Sequence, residues 1–242
     1  MIEPKIRIGT SGYSYSWNKA KPNAFEWYIS QGFNSVEINY SFYRFPPVKS
    51  IKFWQIKAPT NFSLSIKVHR SITHYNRLKQ PRSIELWDQF SRIFEPLQNR
   101  IDFWLFQMPA NFKFKPENLE RVRSFFNSDG IMHQVVSGKK AVIEFRDSSW
   151  WNESALKEIE RAGIAFCSVD APRLPNEIIM IGNAIYLRLH GTKTWYNYLY
   201  PEEKLNEIAS DMIRMRAQKK AIYLNNDHGM LTNGLFLMKR FF

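Results

Sequence analysis

The sequence predicts an α/β fold of the (β/α)8, or TIM-barrel, type. Eight short runs rich in β-branched and aromatic residues alternate with amphipathic segments along the 242 residues, which is the pattern of a parallel barrel. Polar side chains also gather at the carboxyl ends of these runs, where barrels place their sites. An open doubly wound sheet is the alternative, although no G-x-G-x-x-G motif follows any of the runs.

Each predicted strand is a short apolar run bounded by turn-forming residues, as expected for strands of a buried sheet. In chain order the predicted strands are Lys5–Gly9, Ser35–Asn39, Phe62–His69, Asp102–Met108, Lys140–Arg146, Ile164–Asp170, Ala184–His190 and Ala221–Asn225. Eight strands are the number that closes a TIM barrel.

Helical segments lie between most of these strands, and their apolar residues recur at helical spacing. For one of them, Asn152 is the predicted N-cap and Gly163 the predicted stop. The predicted helices are Pro47–Lys57, Ser83–Leu97, Pro116–Phe126, Asn152–Ala162 and Pro201–Lys219, with a short closing helix at Met230–Phe242.

The connection between the sixth and seventh strands breaks the alternation. Residues 171–183 include two prolines and are too few for a full crossover helix. We therefore predict an irregular connection between strands 6 and 7. The chain shows no convincing linker, so a single domain over residues 1–242 is expected.

Composition narrows the class of protein. The single cysteine, Cys167, excludes a disulfide framework and a multi-cysteine metal site. The chain has neither a run of 18 apolar residues nor an apolar leader, so a soluble cytoplasmic protein without a membrane partner is expected.

Lys and Arg number 34 against 22 Asp and Glu, a net charge of +12. Such a surplus favours nucleic acid or a phosphorylated small molecule as partner, and a generally basic surface explains it equally well.

Side chains alternate between the two faces of a strand, so one face of each barrel strand contacts the helices and the other faces the lumen. Applied to six of the strands, this rule turns a polar set inward and crowds it toward the carboxyl ends. The polar residues placed there are Glu37, Asn39, Lys67, His69, Glu144, Arg146, Asp170, Arg188, His190 and Asn225. The same rule turns Cys167 toward the helices.

This polar set suits proton transfer and anion binding. The candidate catalytic acids and bases are Glu37, Glu144, Asp170 and His190. Arg146 and Arg188 offer bidentate forks for phosphate, and Lys67 offers a point charge. The alternative is an ion-pair network that only fills the lumen, because buried charges must be paired.

The predicted loops after the strands extend the candidate surface. Their histidines and aromatic rings could contact a base or a sugar, or pack beneath the loops as ordinary core. The candidate ligand-binding residues in these loops are Tyr43, His74, Trp150, Asn226 and Asp227. Because cations in the ring repel a metal ion and no H-E-x-x-H spacing is present, no cofactor is predicted, and a divalent metal stays an open alternative.

Eight ordered segments span nearly the whole chain: IGTSGYSYSW (8–17), FNSVEINYSFYRFP (33–46), SLSIKVHRSITH (63–74), FQMPANF (106–112), IEFRDSSW (143–150), SVDAP (168–172), YLRLHG (186–191) and YLNNDHG (223–229). In these segments, the sequence resembles the domain-of-unknown-function 72 family, also called YecE-like. The resemblance implies a TIM barrel, and it adds Arg44 and Gln107 to the ligand-binding residues. That barrel is similar to the endonuclease IV and xylose isomerase-like superfamily, which suggests DNA or sugar-phosphate chemistry by fold analogy alone.

Three functions follow as hypotheses. The first is a barrel that binds a phosphate-bearing ligand, in particular nucleic acid, at its carboxyl-end mouth, with phosphodiester hydrolysis as a further step. The second is a sugar or sugar-phosphate isomerase or hydrolase. The third is a non-catalytic nucleic-acid-binding protein that uses the barrel as a basic platform.

Overall fold

The computed structural model describes residues 5–131, 135, 138 and 140–242. Its eight strands form one parallel sheet in the order β1-β8-β7-β6-β5-β4-β3-β2. The strands are β1 (Lys5–Thr10), β2 (Ser35–Ile38), β3 (Ser63–Lys67), β4 (Ile101–Gln107), β5 (Ala141–Glu144), β6 (Ala165–Asp170), β7 (Ala184–Leu189) and β8 (Lys219–Leu224). The predicted TIM barrel is confirmed, and each predicted strand is present with ends moved by a few residues at most.

Helices pack outside the strands. They are α1 (Ala24–Ser30), α2 (Tyr40–Tyr43), α3 (Val48–Lys57), α4 (Arg82–Ile93), α5 (Pro116–Phe126), α6 (Asp129–Ile131), α7 (Glu153–Arg161), α8 (Glu202–Arg214) and α9 (Met230–Phe241). A π-helix lies at Ser71–Tyr75, and 3-10 turns lie at Glu95–Arg100, Ser148–Trp150 and Asp227–Gly229. None of the helices in the described part of the chain is long and apolar enough to cross a membrane.

The helix predictions are largely confirmed, with one clear overrun. Asn152 caps α7 by accepting a hydrogen bond from the Ala155 amide at 3.0 Å, and Gly163 follows the helix with φ +68°. The helix predicted to reach Lys219 ends at Arg214. The reason is that Met215 is already extended and the chain must reach the sheet, where Lys219 begins β8. Helices α1 and α2 were not predicted because both are short.

Side chains, rather than a full ladder, join β1 to β2 and so close the barrel. Asn34 lies just before β2, and its Oδ1 accepts a hydrogen bond from the Ile8 amide at 2.8 Å while its Nδ2 donates to the Ile6 carbonyl at 3.0 Å. Ser11 and Glu37 form an isolated parallel bridge farther along the seam. Buried backbone groups need partners wherever the ladder is absent.

Tyr28 of α1 completes this seam. Its hydroxyl accepts a hydrogen bond from the Thr10 amide and donates one to the Ser35 carbonyl, both at 2.9 Å. Gly9 faces the same place, and a Cβ there would lie 2.2 Å from the Ser35 oxygen. The two strands therefore approach too closely for any side chain at residue 9.

The irregular connection between β6 and β7 is confirmed, since residues 171–183, all of which are described, contain no helix. Side-chain caps hold the loop: the Ser168 hydroxyl accepts a hydrogen bond from the Ile179 amide, and Asn176 Oδ1 accepts one from the Ala171 amide. With no helix here, a groove remains on the outside of the barrel between this loop and α8.

The side-chain alternation is confirmed on five of the six strands tested. On β6 it is wrong, because Cys167 and Val169 belong to the lumen core with Tyr186, whereas Phe166 packs outward against Trp151. Small side chains fit a lumen that already holds large rings, and the larger phenylalanine has room among the helices. Cys167 is thus a buried lumen thiol, and its burial raises the thiol pKa.

Candidate functional site

Two glutamates and an arginine form a buried cluster at the carboxyl end of the barrel lumen. Arg188 of β7 donates from Nη1 to Glu144 Oε2 at 2.6 Å and from Nη2 to Glu37 Oε1 at 2.8 Å. Glu37 also accepts hydrogen bonds from the Ser11 hydroxyl at 2.8 Å and the Tyr186 hydroxyl at 2.7 Å. All five residues are fully buried. The carboxylates that the sequence places together do meet, and they meet around Arg188.

This arrangement changes the interpretation of two predicted site residues. Arg188 was expected to hold a ligand phosphate, yet both of its terminal nitrogens are engaged by glutamates beneath the mouth. Glu37 was a candidate acid or base, and both of its oxygens accept hydrogen bonds from protein groups. These bonds hold both side chains rigidly at the floor of the mouth, so we assign both residues to positioning the groups above them.

Arg146 connects this floor to the mouth. Its Nε contacts Glu144 Oε1, and its Nη2 lies 3.2 Å from His190 Nε2. Its guanidinium carbon lies 4.7 Å from the ring centroid of Trp195, a cation–π geometry. Nη1 makes no hydrogen bond to any described residue. Arg146 is therefore a cation fixed in position by its neighbours, and its Nη1 is available to a ligand.

Glu144 stays ionised in spite of its burial. Burial alone would raise the pKa of this carboxyl, but the charges of Arg146, Arg188 and Lys67 outweigh it, and the pKa lies below its ordinary value. An ionised carboxylate cannot donate a proton. Glu144 therefore fits the role of anchor for the arginines better than that of a general acid.

His190 is a neutral imidazole. Its pKa lies well below the usual value, mainly because the ring is buried, and the positive charges of Arg146, Arg188 and Lys67 lower it further. Because Arg146 can only donate, Nε2 must carry the lone pair and Nδ1 the proton. Asn225 Nδ2 lies 3.1 Å from Nδ1, so a proton on Nδ1 requires the Asn225 amide to be turned over, with its oxygen accepting. Arg146, which can only donate, thus sets the tautomer of His190.

Lys67, the last residue of β3, lies beside the cluster, and no carboxylate among the described residues is within ion-pair distance of its amine. Its Nζ lies 4.2 Å from the ring centroid of Phe42, and no described residue accepts a hydrogen bond from it. Burial and the neighbouring Arg188 lower its pKa to about 7, although Glu144 and Glu37 act in the opposite direction. Lys67 is thus a buried amine whose charge changes near neutral pH.

A cavity of about 590 Å³ opens beside Arg146, a size typical of small-ligand sites. Of the predicted residues, His74, Gln107 and Arg146 line it. Burial lowers the pKa of His74 to about 4, with Lys67 as the next cause, so its ring is neutral at physiological pH. The remaining lining residues are Pro109, Ala110, Asp147, Ser148, Pro172, Arg173, Leu174 and Trp195.

Three predicted residues lie elsewhere. Asp170 was expected to face the lumen, but it follows the reversed alternation of β6 and lines the outer groove beside Lys204 of α8. Its carboxylate accepts a hydrogen bond from the Thr192 hydroxyl at 3.2 Å, and burial raises its pKa. A carboxyl on the far side of the sheet cannot act on a ligand in the mouth, so its catalytic assignment is withdrawn.

Trp150 and His69 also belong to the outer layer. Trp150 is fully buried and stacks on Phe145 with ring centroids 3.7 Å apart, so no ligand can stack on it. The His69 ring meets Phe45 edge-on at 4.7 Å and contacts Phe90 of α4. His69 follows β3, and Trp150 lies in the 3-10 turn after β5. Side chains in such connections can turn to either side of the barrel wall, so the sequence did not decide their direction.

The other predicted residues surround the mouth. Asn39 donates to the Ser11 carbonyl at 3.1 Å. Asn226 is buried and bonds the Tyr198 carbonyl at 2.7 Å, which is a structural role. The half-buried Asp227 follows β8, and exposed Tyr43 and Arg44 form part of the rim.

Sequence reasoning missed some residues of the site. Ser11 was not among the predicted site residues, and its hydroxyl holds Glu37. Tyr15 was not predicted either, and its hydroxyl donates a hydrogen bond to the Ser11 carbonyl at 2.8 Å. Burial raises the Tyr15 pKa to about 12, with Asp227 as the next cause. Exposed Arg173 at the cavity wall had no sequence signal beyond its basic charge.

No group of three or more His, Cys, Asp and Glu in the described part of the chain could hold a metal ion. The buried carboxylates of the site are instead neutralised by arginines. This pairing is the arrangement expected when cations and acids share one ring.

Comparisons with known proteins agree with the fold. A family model described as "Protein of unknown function DUF72" matches residues 7–236. The UPF0759 protein YunF of Bacillus subtilis is 24% identical, covering 93% of this chain and 89% of that protein. A DUF72 structure from Thermotoga maritima matches with TM-score 0.80 at 26% identity, covering 98% of both chains. One from Enterococcus faecalis matches with TM-score 0.77 at 19% identity, covering 98% of this chain and 95% of that one.

A more distant likeness concerns the fold alone. The β-mannanase of the blue mussel Mytilus edulis matches with TM-score 0.53 at 10% identity, covering 97% of this chain and 91% of that one. At this identity the shared feature is the barrel, and one barrel hosts many unrelated chemistries. Function must therefore be argued from the mouth itself.

Proposed function

The chain belongs to the DUF72 family, and we propose that the mouth of its barrel binds a small phosphate-bearing ligand. Arg146 carries this proposal. It is fixed by Glu144 on one side and Trp195 on another, and it lines the cavity with Nη1 free of described partners. A preorganised guanidinium in a partly buried site is well suited to a phosphate oxygen.

The charge balance of the mouth supports an anion. Counting the cluster and the cavity wall, Lys67, Arg146, Arg173 and Arg188 face the carboxylates Glu37, Glu144 and Asp147. Four cations and three anions leave one positive charge when Lys67 is protonated. That surplus lies in a confined cavity, where an anionic ligand gains more than it would at an open surface.

The ligand's remaining part would contact Trp195 and Gln107. Trp195 is half-buried and lines the cavity, and an indole ring can stack on a base or a sugar. A volume of about 590 Å³ suits one nucleotide or one sugar phosphate rather than an intact duplex. In the nucleic-acid form of the proposal, a single unit would enter the cavity while the basic surface, with the chain's +12 charge, holds the strand.

Phosphodiester hydrolysis is a finer form of the same proposal. It requires a proton acceptor at the cavity. His74 lines the cavity and is neutral at physiological pH because its pKa is about 4. His74 and Lys67 are therefore better candidates for this role than the arginine-paired glutamates.

The proposal is tested by titration calorimetry with thymidine, thymidine 5′-phosphate, ribose 5-phosphate and inorganic phosphate. We expect binding only of the phosphorylated compounds. Arg146→Ala should weaken it about 10-fold to 100-fold, since hydrogen bonds to charged groups contribute about 1.5–3 kcal/mol. The exposed Arg173→Gln should weaken it less.

Arg82→Ala is the matched control, because Arg82 is an exposed arginine of α4 that pairs only with Glu85. It should bind like the unmodified protein. Equal affinity for thymidine and its phosphate, or unchanged affinity in a folded Arg146→Ala protein, would contradict the proposal. Circular dichroism of each variant shows whether it is folded.

A further inference from the structure

We infer that Lys67 is a nucleophilic lysine that condenses with the carbonyl group of a small phosphorylated aldehyde or ketone. This rests on the proposed function, because phosphate held at Arg146 would keep the carbonyl near Lys67. The amine lies in the lumen at the carboxyl end of β3, and 8% of the residue's surface is exposed. Small compounds in the mouth therefore have limited access to it.

The geometry leaves Lys67 without the ion pair that a structural lysine would have. Glu37 is held by Ser11, Tyr186 and Arg188, and Glu144 is held by the two arginines. The ammonium instead lies over the face of Phe42, at 4.2 Å from its centroid. Buried charges are normally paired, so an amine without a carboxylate partner here is unexpected for a group that only fills space.

Phe42 also connects Lys67 to the cavity. The His74 ring meets the same phenyl ring edge-on, with centroids 4.9 Å apart, and His74 lines the cavity with Arg146. One aromatic ring thus holds an amine on its face and an imidazole at its edge. A carbonyl compound entering between His74 and Arg146 would meet the amine at the base of the mouth.

The chemical state of the amine supports this role. With a pKa of about 7, about half of Lys67 is neutral at pH 7, whereas only ~1 in 2500 molecules of an ordinary lysine with a pKa near 10.4 is neutral. Only the neutral amine is a nucleophile. Desolvation and neighbouring cations are the two means by which proteins activate lysines.

The proposed step is a dehydrating condensation. The nitrogen lone pair forms a C–N bond to the carbonyl carbon, and the C=O π electrons move to oxygen, giving a carbinolamine after proton transfer. The C–O bond then breaks, and oxygen leaves as water with the two hydrogens that the amine supplied. His74, neutral at physiological pH, is placed to accept a proton during these transfers. No oxidant or reductant is needed.

Reductive trapping tests the inference. The full-length protein is incubated with glyceraldehyde 3-phosphate and sodium cyanoborohydride at pH 7, and adducts are mapped by peptide mass spectrometry. The hydride reduces the imine to a stable secondary amine. We expect one dominant adduct, at Lys67, formed at least ten times faster than at exposed Lys113. Its rate should rise from pH 6 to pH 8 with a midpoint near 7.

Two variants separate nucleophilicity from burial. Lys67→Arg keeps the charge and should abolish the dominant adduct. Lys220→Arg is the matched control, because Lys220 is also buried with a lowered pKa, but its Nζ donates to the Met212 carbonyl at 2.6 Å, away from the mouth. Labelling of Lys67 should be unchanged in this control. Labelling spread over surface lysines without preference for Lys67 would overturn the inference.

The same experiment with unphosphorylated glyceraldehyde distinguishes the two proposals. Faster trapping of the phosphate supports both. Equal trapping of both compounds at Lys67 supports the nucleophilic lysine and contradicts the proposed phosphate site. If phosphorylated compounds bind in calorimetry but form no adduct at Lys67, the phosphate site is supported and the inference about Lys67 is overturned.

Discussion

Arg188 shows how one buried side chain organises the others. Both of its terminal nitrogens bind glutamates from different strands, at 2.6 and 2.8 Å, and none of the three side chains is exposed. Glu144 then holds Arg146 toward the cavity. A buried ion-pair network is weak evidence for stability, yet breaking it leaves an uncompensated charge. Here its effect is to hold Arg146 at the wall of the cavity.

Replacing Arg188 by methionine should therefore be strongly destabilising. Glu37 and Glu144 would lose their common cation, at a cost of about 3–5 kcal/mol in the free energy of unfolding. Urea titration followed by tryptophan fluorescence measures this loss. Arg188 helps to hold the pKa of Glu144 below its ordinary value, so that pKa would rise in the folded variant. The folded variant would then bind more protons than the folded unmodified protein, and the deficit should shrink as pH falls toward 4.

An exposed arginine provides the comparison. Arg82→Met removes a surface pair with Glu85 and should change stability by less than about 1 kcal/mol. If Arg188→Met unfolds at the same urea concentration as Arg82→Met, the cluster does not organise the lumen as described.

At the scale of elements, the seam between β1 and β2 is the least regular part of the barrel. Elsewhere adjacent strands pair in parallel register. At this seam, Tyr28 of α1 and Asn34 supply hydrogen bonds to the backbone of both strands. The barrel is thus closed by a helix side chain, and the seam adjoins Ser11 and Glu37 of the site.

Tyr28→Phe should weaken this closure. The change leaves the Thr10 amide and the Ser35 carbonyl without the tyrosine hydroxyl, and each buried unpaired group costs about 1–3 kcal/mol. Hydrogen exchange should show faster exchange of the Thr10 amide, together with a lower unfolding midpoint. Tyr186→Phe is a useful contrast, since it removes a bond to Glu37 inside the lumen and not at the seam. If the Thr10 amide exchanges as slowly in Tyr28→Phe as in the unmodified protein, Tyr28 does not close the seam as described.

At the scale of the whole molecule, the net charge of +12 and the small cavity make different demands on a partner. A polyanion gains from many surface contacts, which salt weakens. The cavity of about 590 Å³ admits one unit at a time. A strand with an unpaired or base-free unit satisfies both demands better than an intact duplex, because extruding a paired unit costs a few kcal/mol.

Fluorescence anisotropy with labelled plain and abasic DNA across a salt series tests this expectation. We expect the affinity to fall steeply as salt is added. For a duplex, the slope of log affinity against log salt concentration should be about −0.9 per phosphate contacted. The affinity should also be higher for the abasic form. Arg146→Ala should lose that preference while keeping most of the salt slope. Weak binding that is equal for both forms would make the charge a general surface property and favour small sugar phosphates.

The sequence by itself determined the number and order of the strands and the side-chain alternation on five of those tested. It could do so because these strands contrast apolar and polar residues at alternate positions, so only one orientation buries the apolar set. The same contrast brought Glu37, Lys67, Glu144, Arg146, Arg188 and His190 into one prediction. Their common location at the carboxyl end follows from parallel strands alone.

Only the tertiary structure decided which of these residues face the cavity. In β6, Ala165–Asp170, all six residues are buried, so burial alone does not distinguish its two faces, and packing volume decided that Asp170 turns outward. Trp150 is buried by aromatic partners from other segments, and Lys67 is left without a carboxylate because both glutamates are taken by arginines. Such pairings depend on distances between strands far apart in sequence, which no local pattern contains.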